Sequence, residues 1–364
     1  MHSVSNILSR IQRIFPFLEE ELGPLTDSQR KLVRVLEIVC VERFISGVPY
    51  NMAGRPVADR RALARAFIAK AVLNLPDTRT LIDTIKGSSN LRRICGWERS
   101  GAVPHEATFS RAFDEFAGTG LAQRLHEALI EAYRKPVLVG HISRDSTAIE
   151  ARERPVRKEK PPEKPIQKKG RPRKGEKRPP KELTRLERQA SGMTLEQMLS
   201  ELPRYCDSGA KQNSKGNLDY WIGYKLHVDW SDGEIPVSCL LSSASMHDSQ
   251  AALPLMEITR TRVDSLYQLM DAAYDAPVIE QAVRKHGQVP IIERNARRKN
   301  ETDPMDAAKS TRYKERSTAE RGNSLLKDCF GGRYVRVRGA KKVMSHLMFG
   351  IVALTATQLM RMLL

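Results

Sequence analysis

The sequence contains few cysteine residues, and these are widely separated. The 364-residue chain has 5 cysteines, which form no Cys-x-x-Cys pair and are odd in number. Disulfide scaffolds and structural zinc sites require paired or closely spaced cysteines, so the sequence argues against both. Isolated cysteines of this kind are typical of a reducing compartment.

Long uninterrupted apolar runs are also lacking. The N-terminal stretch MHSVSNILSRIQRIF has neither the continuous apolar segment nor the small-residue cleavage site of a secretory signal, so export is not indicated. The most apolar stretch, residues 346–364, is interrupted by His346, Thr355, Thr357 and Gln358. We therefore predict a buried core helix rather than a membrane span, and a cytoplasmic protein with no membrane partner.

Acidic residues are too few to balance the basic ones. The chain has 61 Lys and Arg against 43 Asp and Glu, which gives a formal net charge of +18. An excess of this size attracts polyanions and speeds encounter with them. Nucleic acid is the leading partner on charge alone, although ribosome-associated proteins, membrane-surface proteins and enzymes with a basic tail share this property.

More than half of the excess charge lies in one segment. Residues 151–190 carry sixteen Lys or Arg against six Glu, with seven prolines and no aromatic residue. Such a composition cannot bury enough apolar surface to fold, so we predict a disordered basic insert. Its centre, KKGRPRKGEKR, contains Arg171 and Arg173, whose side chains suit a narrow DNA minor groove; a solvated linker is the alternative.

Hydrophobic periodicity changes at about residue 135. From Thr26 to about Tyr133 apolar residues recur at helical spacing, which predicts an all-helical N-terminal domain over residues 1–135. Beyond it, five runs rich in Val, Ile, Leu and Tyr predict strands, and helical patterns lie between several of them: VLVGHISRDSTAI, YWIGYKLHVDW, IPVSCLLSSA, SLYQLMDAAY and VPIIERN. Residues 136–364 therefore predict an α/β domain, a mixed sheet flanked by helices.

One segment of the N-terminal region has two interpretations. VPHEATFSRAFDEF begins a helix in which Arg111 lies among Phe109, Phe113 and Phe116. The segment could be the DNA-reading helix of a helix-turn-helix motif, or its phenylalanines could pack in a helical core.

Two acidic residues end apolar strand patterns. Asp145 lies in VGHISRDSTAIE, and Asp271 follows LYQLM. Alone, each is more often a turn former or a helix cap than a catalytic group. A third segment, YKERSTAERGNSLLK, changes the interpretation of both.

In that segment four functional side chains recur at helical spacing. Tyr313, Arg316, Glu320 and Lys327 are separated by three, four and seven residues. On one continuous α-helix these spacings place all four on one face. A surface stripe of ion pairs gives the same pattern, so the spacing alone does not decide.

Together these motifs resemble the bacterial insertion-sequence DDE transposases whose third catalytic acid lies in a Tyr-Arg-Glu-Lys signature. Residues 313–327 match the form Y-x2-R-x3-E-x6-K without a gap. Residues 144–147 match the first strand motif, which ends in Asp-Ser-Thr, and residues 271–274 match the second motif, Asp-x-x-Tyr. Residues 223–225, 247–248 and 333–339 are also similar. One departure is Ala273, where family members commonly have glycine.

The resemblance implies a ribonuclease-H-like catalytic domain with Asp145, Asp271 and Glu320 as the catalytic triad. The same carboxylates would bind Mg²⁺, for which Mn²⁺ substitutes, with Asp145 bridging two ions and the other acids completing one each. The expected reaction is cleavage of DNA at the element ends, followed by strand transfer into target DNA. The implied partners are double-stranded DNA, as terminal inverted repeats and target, and a second copy in a homodimer on paired ends. The helical domain of residues 1–135 would bind the DNA ends. No small-molecule substrate is expected, and the protein should associate with the nucleoid.

Supporting roles follow for neighbouring residues. Arg316 and Lys327 would bind DNA phosphates near the scissile bond, and Arg336 and Arg338 would be further DNA contacts. Tyr313 would stack on or hydrogen-bond to the DNA end, unless it is a core aromatic with its hydroxyl at the surface.

The role of His247 and Asp248 has two interpretations. They could flank the site, but a turn in which Asp248 caps the following helix explains them more easily.

Two other functions of the protein stay open: a DNA-binding protein derived from a transposase that no longer catalyses, and a related nuclease that cuts without joining.

Overall fold

The N-terminal part of the chain is helical, as the apolar periodicity predicts. The computed structural model describes residues 24–45, 57–157, 182–212, 216–295 and 304–363. Side-chain caps determine where several of these helices begin: Thr26 and Gln29 form a capping box, and Asp77 Oδ1 accepts a hydrogen bond from Thr80 N (2.8 Å). The helices are α1 (Asp27–Val39), α2 (Arg60–Val72), α3 (Thr78–Gly87), α4 (Ser89–Cys95), α5 (Glu106–Thr119) and α6 (Leu121–Tyr133).

A six-stranded mixed sheet follows. The central order is β2-β3-β1-β5-β6, and β4 also pairs with β3. β1 is antiparallel to β3, β3 is antiparallel to β2 and β4, and β5 is parallel to both β1 and β6. This is the ribonuclease-H-like arrangement that the resemblance implies. The strands are β1 (Val139–Glu150), β2 (Asp207–Gln212), β3 (Leu218–Ser231), β4 (Ile235–Ser243), β5 (Ser265–Met270) and β6 (Val289–Ile292).

Helices cover both faces of the sheet. On one face α9 (Ser249–Arg262) packs against β3 and β4, with α7 (Arg185–Ala190), α8 (Leu195–Ser200) and α10 (Pro277–Lys285) beside it. On the other, α12 (Ser317–Cys329) packs against β1 and β3 and is preceded by α11 (Ala307–Tyr313).

The last helix joins the sheet to the N-terminal helices. α13 (Ala340–Leu363) packs against α1, α2, α5 and α6, and one hydrophobic core runs from Leu25 to Leu359. Within the described residues it is the one helix long and apolar enough to cross a membrane, but 83% of its most apolar window is buried inside the protein. The prediction of a buried core helix is therefore confirmed. The change from helix to strand at residue 135 does not interrupt the core.

The phenylalanines of α5 belong to this core. Phe67 of α2 has its ring centroid 5.9 Å from that of Phe109 and 5.0 Å from that of Phe113, and it is 5.7 Å from Phe349 of α13. The apolar face of the possible helix-turn-helix segment is thus occupied by packing.

The basic insert is shorter than its composition predicts. Val156 N donates to Cys206 O (3.0 Å), so the residues directly after β1 are ordered. At the other end, α7 packs on α9, where Gln189 Nε2 donates to Gln250 O (3.2 Å). The prediction of disorder is therefore wrong for residues 151–157 and 182–190, which make hydrogen bonds to the rest of the domain through Val156 N and Gln189 Nε2. Residues 158–181, including Arg171 and Arg173, lie outside the described residues.

Candidate active site

Strand register places the first two acids side by side. In the parallel pair of β1 and β5, Ser143 is opposite Leu269. Two residues further along each strand direction, this register puts Asp145 beside Asp271, close enough for the charge of Asp271 to act on Asp145. Asp271 Oδ1 accepts a hydrogen bond from Ala273 N (3.0 Å), because the chain turns there into a short 3-10 helix. The cap-like geometry expected of a turn former therefore positions a carboxylate at the centre of the sheet.

The helix α12 is fixed against this pair of acids. Asn323 Nδ2 donates to Asp145 Oδ2 (3.0 Å), and Glu320 lies on the same helix face one turn earlier. A Cβ at Gly322 would lie 2.5 Å from the ring of buried Trp230 on β3, so only glycine permits this close approach. Asn323 was not predicted from the sequence, although its position three residues after Glu320 was the available signal.

The Tyr-Arg-Glu-Lys residues do not share one continuous α-helix, so that prediction is wrong. α11 ends at Tyr313, a 3-10 turn covers Lys314–Arg316, and α12 carries the other two residues. The first three are nevertheless connected by hydrogen bonds. Arg316 Nε donates to Tyr313 Oη (3.2 Å), and its Nη1 donates to Glu320 Oε1 (3.2 Å). Tyr313 is half-buried, and its hydroxyl donates to Glu293 Oε2 (3.0 Å).

A buried ion pair lies beneath Asp145 on the opposite face of β1. Both partners, Arg144 and Asp229, have 0% exposed side chains. The guanidinium donates twice to the carboxylate, from Nε to Oδ1 (2.7 Å) and from Nη2 to Oδ2 (2.7 Å). Thr259 of α9 donates to the same Oδ2 (2.5 Å). This bidentate pair fixes β1 against β3 at the position of Asp145.

Asp248 does not act as the predicted side-chain cap. It occupies the N-cap position of α9, but its carboxylate makes no capping hydrogen bond. Instead Lys225 Nζ donates to Asp248 Oδ1 (2.9 Å). Two of the motifs similar to the transposase family, one in β3 and one after β4, are thus joined by an ion pair close to the site.

The electrostatic environment of the two aspartates favours a bound cation. Burial raises the pKa of Asp145 to about 6, an effect that the Arg316 guanidinium opposes and the Asp271 carboxylate reinforces. Burial also raises the pKa of Asp271, against the hydrogen bond from Ala273 and the charge of Arg316. The cationic side chains of the protein thus compensate only part of the negative charge of these two buried carboxylates.

The donor set fits a hard divalent cation in its chemistry. Asp145 and Asp271 offer carboxylate oxygens, and Asn323 Oδ1 is buried beside them without a hydrogen-bond partner among the described residues. Within that same part of the chain, no three His, Cys, Asp or Glu side chains stand close enough together to hold a metal ion. The Glu320 side chain is 63% exposed and paired with Arg316. In this structure the third acid therefore lies apart from Asp145 and Asp271.

Two of the predicted DNA contacts line one cleft beside the site. This cleft, of about 470 Å³, lies past Ala148 and Glu150 of β1 and is bordered by Lys327, Arg333 and Arg336. We call it the Lys327 cleft. Burial and the neighbouring Arg333 lower the pKa of Lys327, which marks a crowded positive environment. Arg338 lies outside this cleft and donates from Nε to Arg152 O (3.0 Å).

A further cation faces the site from a strand that the sequence did not predict. Lys211 of β2 lies within electrostatic range of Asp145, Asp271 and Lys327. The run DSGAKQ contains no β-branched or aromatic residue, so it carries no strand signal. Only its antiparallel pairing with β3 brings Lys211 to the site.

The mixed sheet flanked by helices is that of a ribonuclease-H-like fold. The chain matches the family described as Transposase DDE domain over residues 141–356, more than half of its length. It also matches the family described as Transposase domain (DUF772) over residues 6–115. The chain therefore belongs to the transposase DDE domain family, which supports a DNA-binding, nucleic-acid-cleaving enzyme of a generally metal-dependent kind. No curated protein matches the sequence.

Proposed function

We propose that this transposase cuts DNA at the ends of an insertion sequence and joins the freed ends to target DNA, with Asp145, Asp271 and Glu320 as catalytic residues. The observation that carries the proposal is the β1–β5 register, which sets two carboxylates side by side opposite a helix that bears a third. Water attack would free a 3′ hydroxyl, and that hydroxyl would attack a target phosphodiester. Both steps are in-line displacements at phosphorus.

The three carboxylates would hold Mg²⁺ or Mn²⁺. Such an ion supplies charge that activates the attacking oxygen and stabilises the leaving one. The chain's own contribution is to position two of the acids: Asn323 orients Asp145, and the turn at Ala273 orients Asp271. Glu320 is paired with Arg316 at the surface and would have to turn toward the two aspartates to complete the site.

Arg316, Tyr313 and Lys327 would then contact the DNA end. Arg316 is suited to bind a phosphate as a planar fork, and Lys327 as a point charge. Arg171, Arg173, Arg336 and Arg338 would extend the contact along the backbone.

The alanine at position 273 supports an active enzyme rather than a decayed one. Ala273 is not among the described residues with positive φ, so its turn does not need the glycine that is common in the family. Its contribution is a backbone N–H, which alanine supplies as well as glycine does. All three acids of the proposed triad are present in the sequence.

A labelled duplex of the element ends tests the proposal. Wild-type protein with Mg²⁺ or Mn²⁺ should give joined products, whereas Ca²⁺ should support binding only. Glu320→Gln should lower the rate of strand cleavage by about 10³-fold, because several kcal/mol of charge stabilisation are lost. Glu315→Gln, five residues earlier and also exposed, is the matched control and should cut at the wild-type rate.

Other product patterns would select other functions. Nicks without joined products would indicate the nuclease, and metal-independent binding without any cutting would indicate the decayed DNA-binding protein. Equal cleavage by Glu320→Gln and wild type would remove Glu320 from the triad.

The basic insert should contribute to DNA affinity through its charge. Residues 158–181 carry eleven Lys or Arg against three Glu. Replacing this segment with a Gly-Ser chain of equal length should weaken binding and flatten its salt dependence, because fewer counterions are released. The ordered ends of the insert are left intact, so the fold is not disturbed. An unchanged slope of affinity against salt concentration would exclude the segment from the contact.

We also propose assembly as a homodimer on paired ends and a cytoplasmic, nucleoid-associated location. Both follow from the transposase assignment and the net charge of +18. Sedimentation of the protein with one and two end duplexes would test the first.

A further inference from the structure

A second cleft lies between the N-terminal helices and the basic segment after α12. It has a volume of about 390 Å³ and a floor of aromatic rings that includes Phe67, Phe113 and Phe349. Lys70 of α2 lines it from within, and its outer border carries basic side chains: Arg152, Arg336, Arg338 and Lys342. We call it the Lys70 cleft. Arg336 and Arg338 at its border are proposed DNA contacts, but the proposed function uses neither Lys70 nor the aromatic floor.

Lys70 is a mostly buried cation that makes no contact ion pair with a described residue. It is 8% exposed, and its ammonium makes no hydrogen bond or ion pair within the described residues. Burial lowers its pKa to about 8, and the charge of Asp77 only partly opposes this effect. A buried charge without a partner destabilises a fold, so a position of this kind is more easily explained by a ligand than by packing.

The charges around Lys70 favour an anion. Glu106 is the acid that lines the cleft, and it pairs with Arg79 (3.4 Å). Lys342 pairs with Asp114 (3.0 Å), but Arg152 and Arg336 have no side-chain partner among the described residues. The unpaired positive charge of the cleft therefore exceeds its negative charge.

The two clefts form one positively charged path. Arg152 and Arg336 line both of them. The Lys327 cleft begins at Ala148, three residues after Asp145 on β1. A polyanion lying across the carboxylates would therefore pass Lys327, Arg333 and Arg336 on its way to the Lys70 cleft.

We infer that the Lys70 cleft binds a phosphate group of the DNA backbone, away from the bond that the carboxylates act on. The inference rests on the proposed function, since DNA is the polyanion that the site would present to this wall. Lys70 and the two unpaired arginines would surround the phosphate, and the bound anion would supply the counter-charge that Lys70 lacks.

Lys70→Met tests the inference, with Lys285→Met on α10 as the matched control that removes the same charge outside both clefts. Affinity for a labelled duplex is measured without divalent ions at several salt concentrations. Lys70→Met should bind about tenfold more weakly and lower the slope of log affinity against log salt by about 0.9, the value for one phosphate contact. Lys285→Met should change the slope less than this.

Thermal unfolding gives a readout that a structural role alone would not produce. Lys70→Met should unfold at a higher temperature than wild type without ligand, because a buried unpaired charge is removed. Inorganic pyrophosphate should raise the unfolding temperature of wild type and not that of the variant. If the methionine variant does not fold, Lys70→Gln, which keeps a polar end, takes its place.

The outcomes separate this inference from the proposed function. If wild type cuts and joins DNA while Lys70→Met retains the wild-type affinity and salt slope, the phosphate site is rejected and the transposase stands. If Lys70→Met lowers the slope of log affinity against log salt but wild type does not cut DNA, the phosphate site is supported and the proposed reaction is rejected. Stabilisation by pyrophosphate with an unchanged DNA slope would show a site for free phosphate, which overturns the DNA assignment.

Discussion

Asp145→Asn should abolish strand cleavage and joining while leaving DNA binding in place. The substitution keeps the size of the side chain, and its amide oxygen can still accept the hydrogen bond from Asn323 Nδ2. It removes the charge that would bind the cation, and the loss of several kcal/mol corresponds to a rate at least about 10³-fold lower. Gel assays of cleavage and of binding on the same duplex measure both effects. Asp83→Asn, an exposed residue of α3, controls for the change in net charge.

The same variant should be more stable than wild type when no divalent ion is present. The pKa of Asp145 rises from 3.8 unfolded to about 6 folded, so the folded state retains its proton more tightly. The penalty for ionising this carboxyl is absent below about pH 4, grows between pH 4 and 6, and is complete above pH 6. At pH 7 with EDTA, Asp145→Asn should therefore gain up to about 3 kcal/mol in the free energy of unfolding.

Urea unfolding across this pH range measures the difference. The difference in free energy of unfolding between Asp145→Asn and wild type should decrease as the pH falls from 6 to 4. Added Mg²⁺ should stabilise wild type but not the variant. A variant less stable than wild type at pH 7 would show that Asp145 is a structural residue. Cleavage at the wild-type rate would contradict its catalytic role.

Asp229→Ala should cause the largest loss of stability. It leaves the fully buried guanidinium of Arg144 without its bidentate partner and Thr259 without its acceptor. Removing one partner of a buried ion pair costs about 3–5 kcal/mol, because the remaining charge is neither paired nor solvated. Chemical denaturation at pH 7 measures this, and activity should fall with the folded fraction.

Two controls test whether the loss of stability in Asp229→Ala comes from the buried unpaired charge of Arg144. The double variant Arg144→Met with Asp229→Leu should recover much of the loss, because apolar residues can replace a buried pair. Glu280→Ala breaks the pairs with Arg284 and Arg294, whose side chains are 58% and 55% exposed, and should cost less than about 1 kcal/mol for each pair. A loss under 1 kcal/mol in Asp229→Ala would mean that Arg144 finds another partner.

The sequence predicts the elements of this protein better than their connections. The alternation of apolar residues identified five of the six strands, because each alternates or is continuously apolar along its own length. β2 was not predicted, because its six residues have no strand propensity and only the pairing with β3 makes them a strand. Composition likewise predicted the basic insert but not its limits, because Val156 and Gln189 find backbone partners on residues far away in the chain.

The candidate site shows the same division. Asp145, Asp271 and Glu320 follow from motifs at known spacing, each of which lies within one short segment. Helical spacing failed for the residues from Tyr313 onward, because a 3-10 turn interrupts the helix and contact with the sheet, not the 3.6-residue period, determines the local geometry.

The amino-acid sequence by itself determined the charge of this protein, the order of five of its six strands, and the residue types available for chemistry, because these are properties of a residue and its near neighbours. The tertiary structure alone decided which of those residues meet. The register of β1 with β5 brings two aspartates together. Asp229 pairs with the buried guanidinium of Arg144, and the packing of α13 joins the N-terminal helices to the sheet. Each is a contact between distant segments, which depends on packing that no local pattern records.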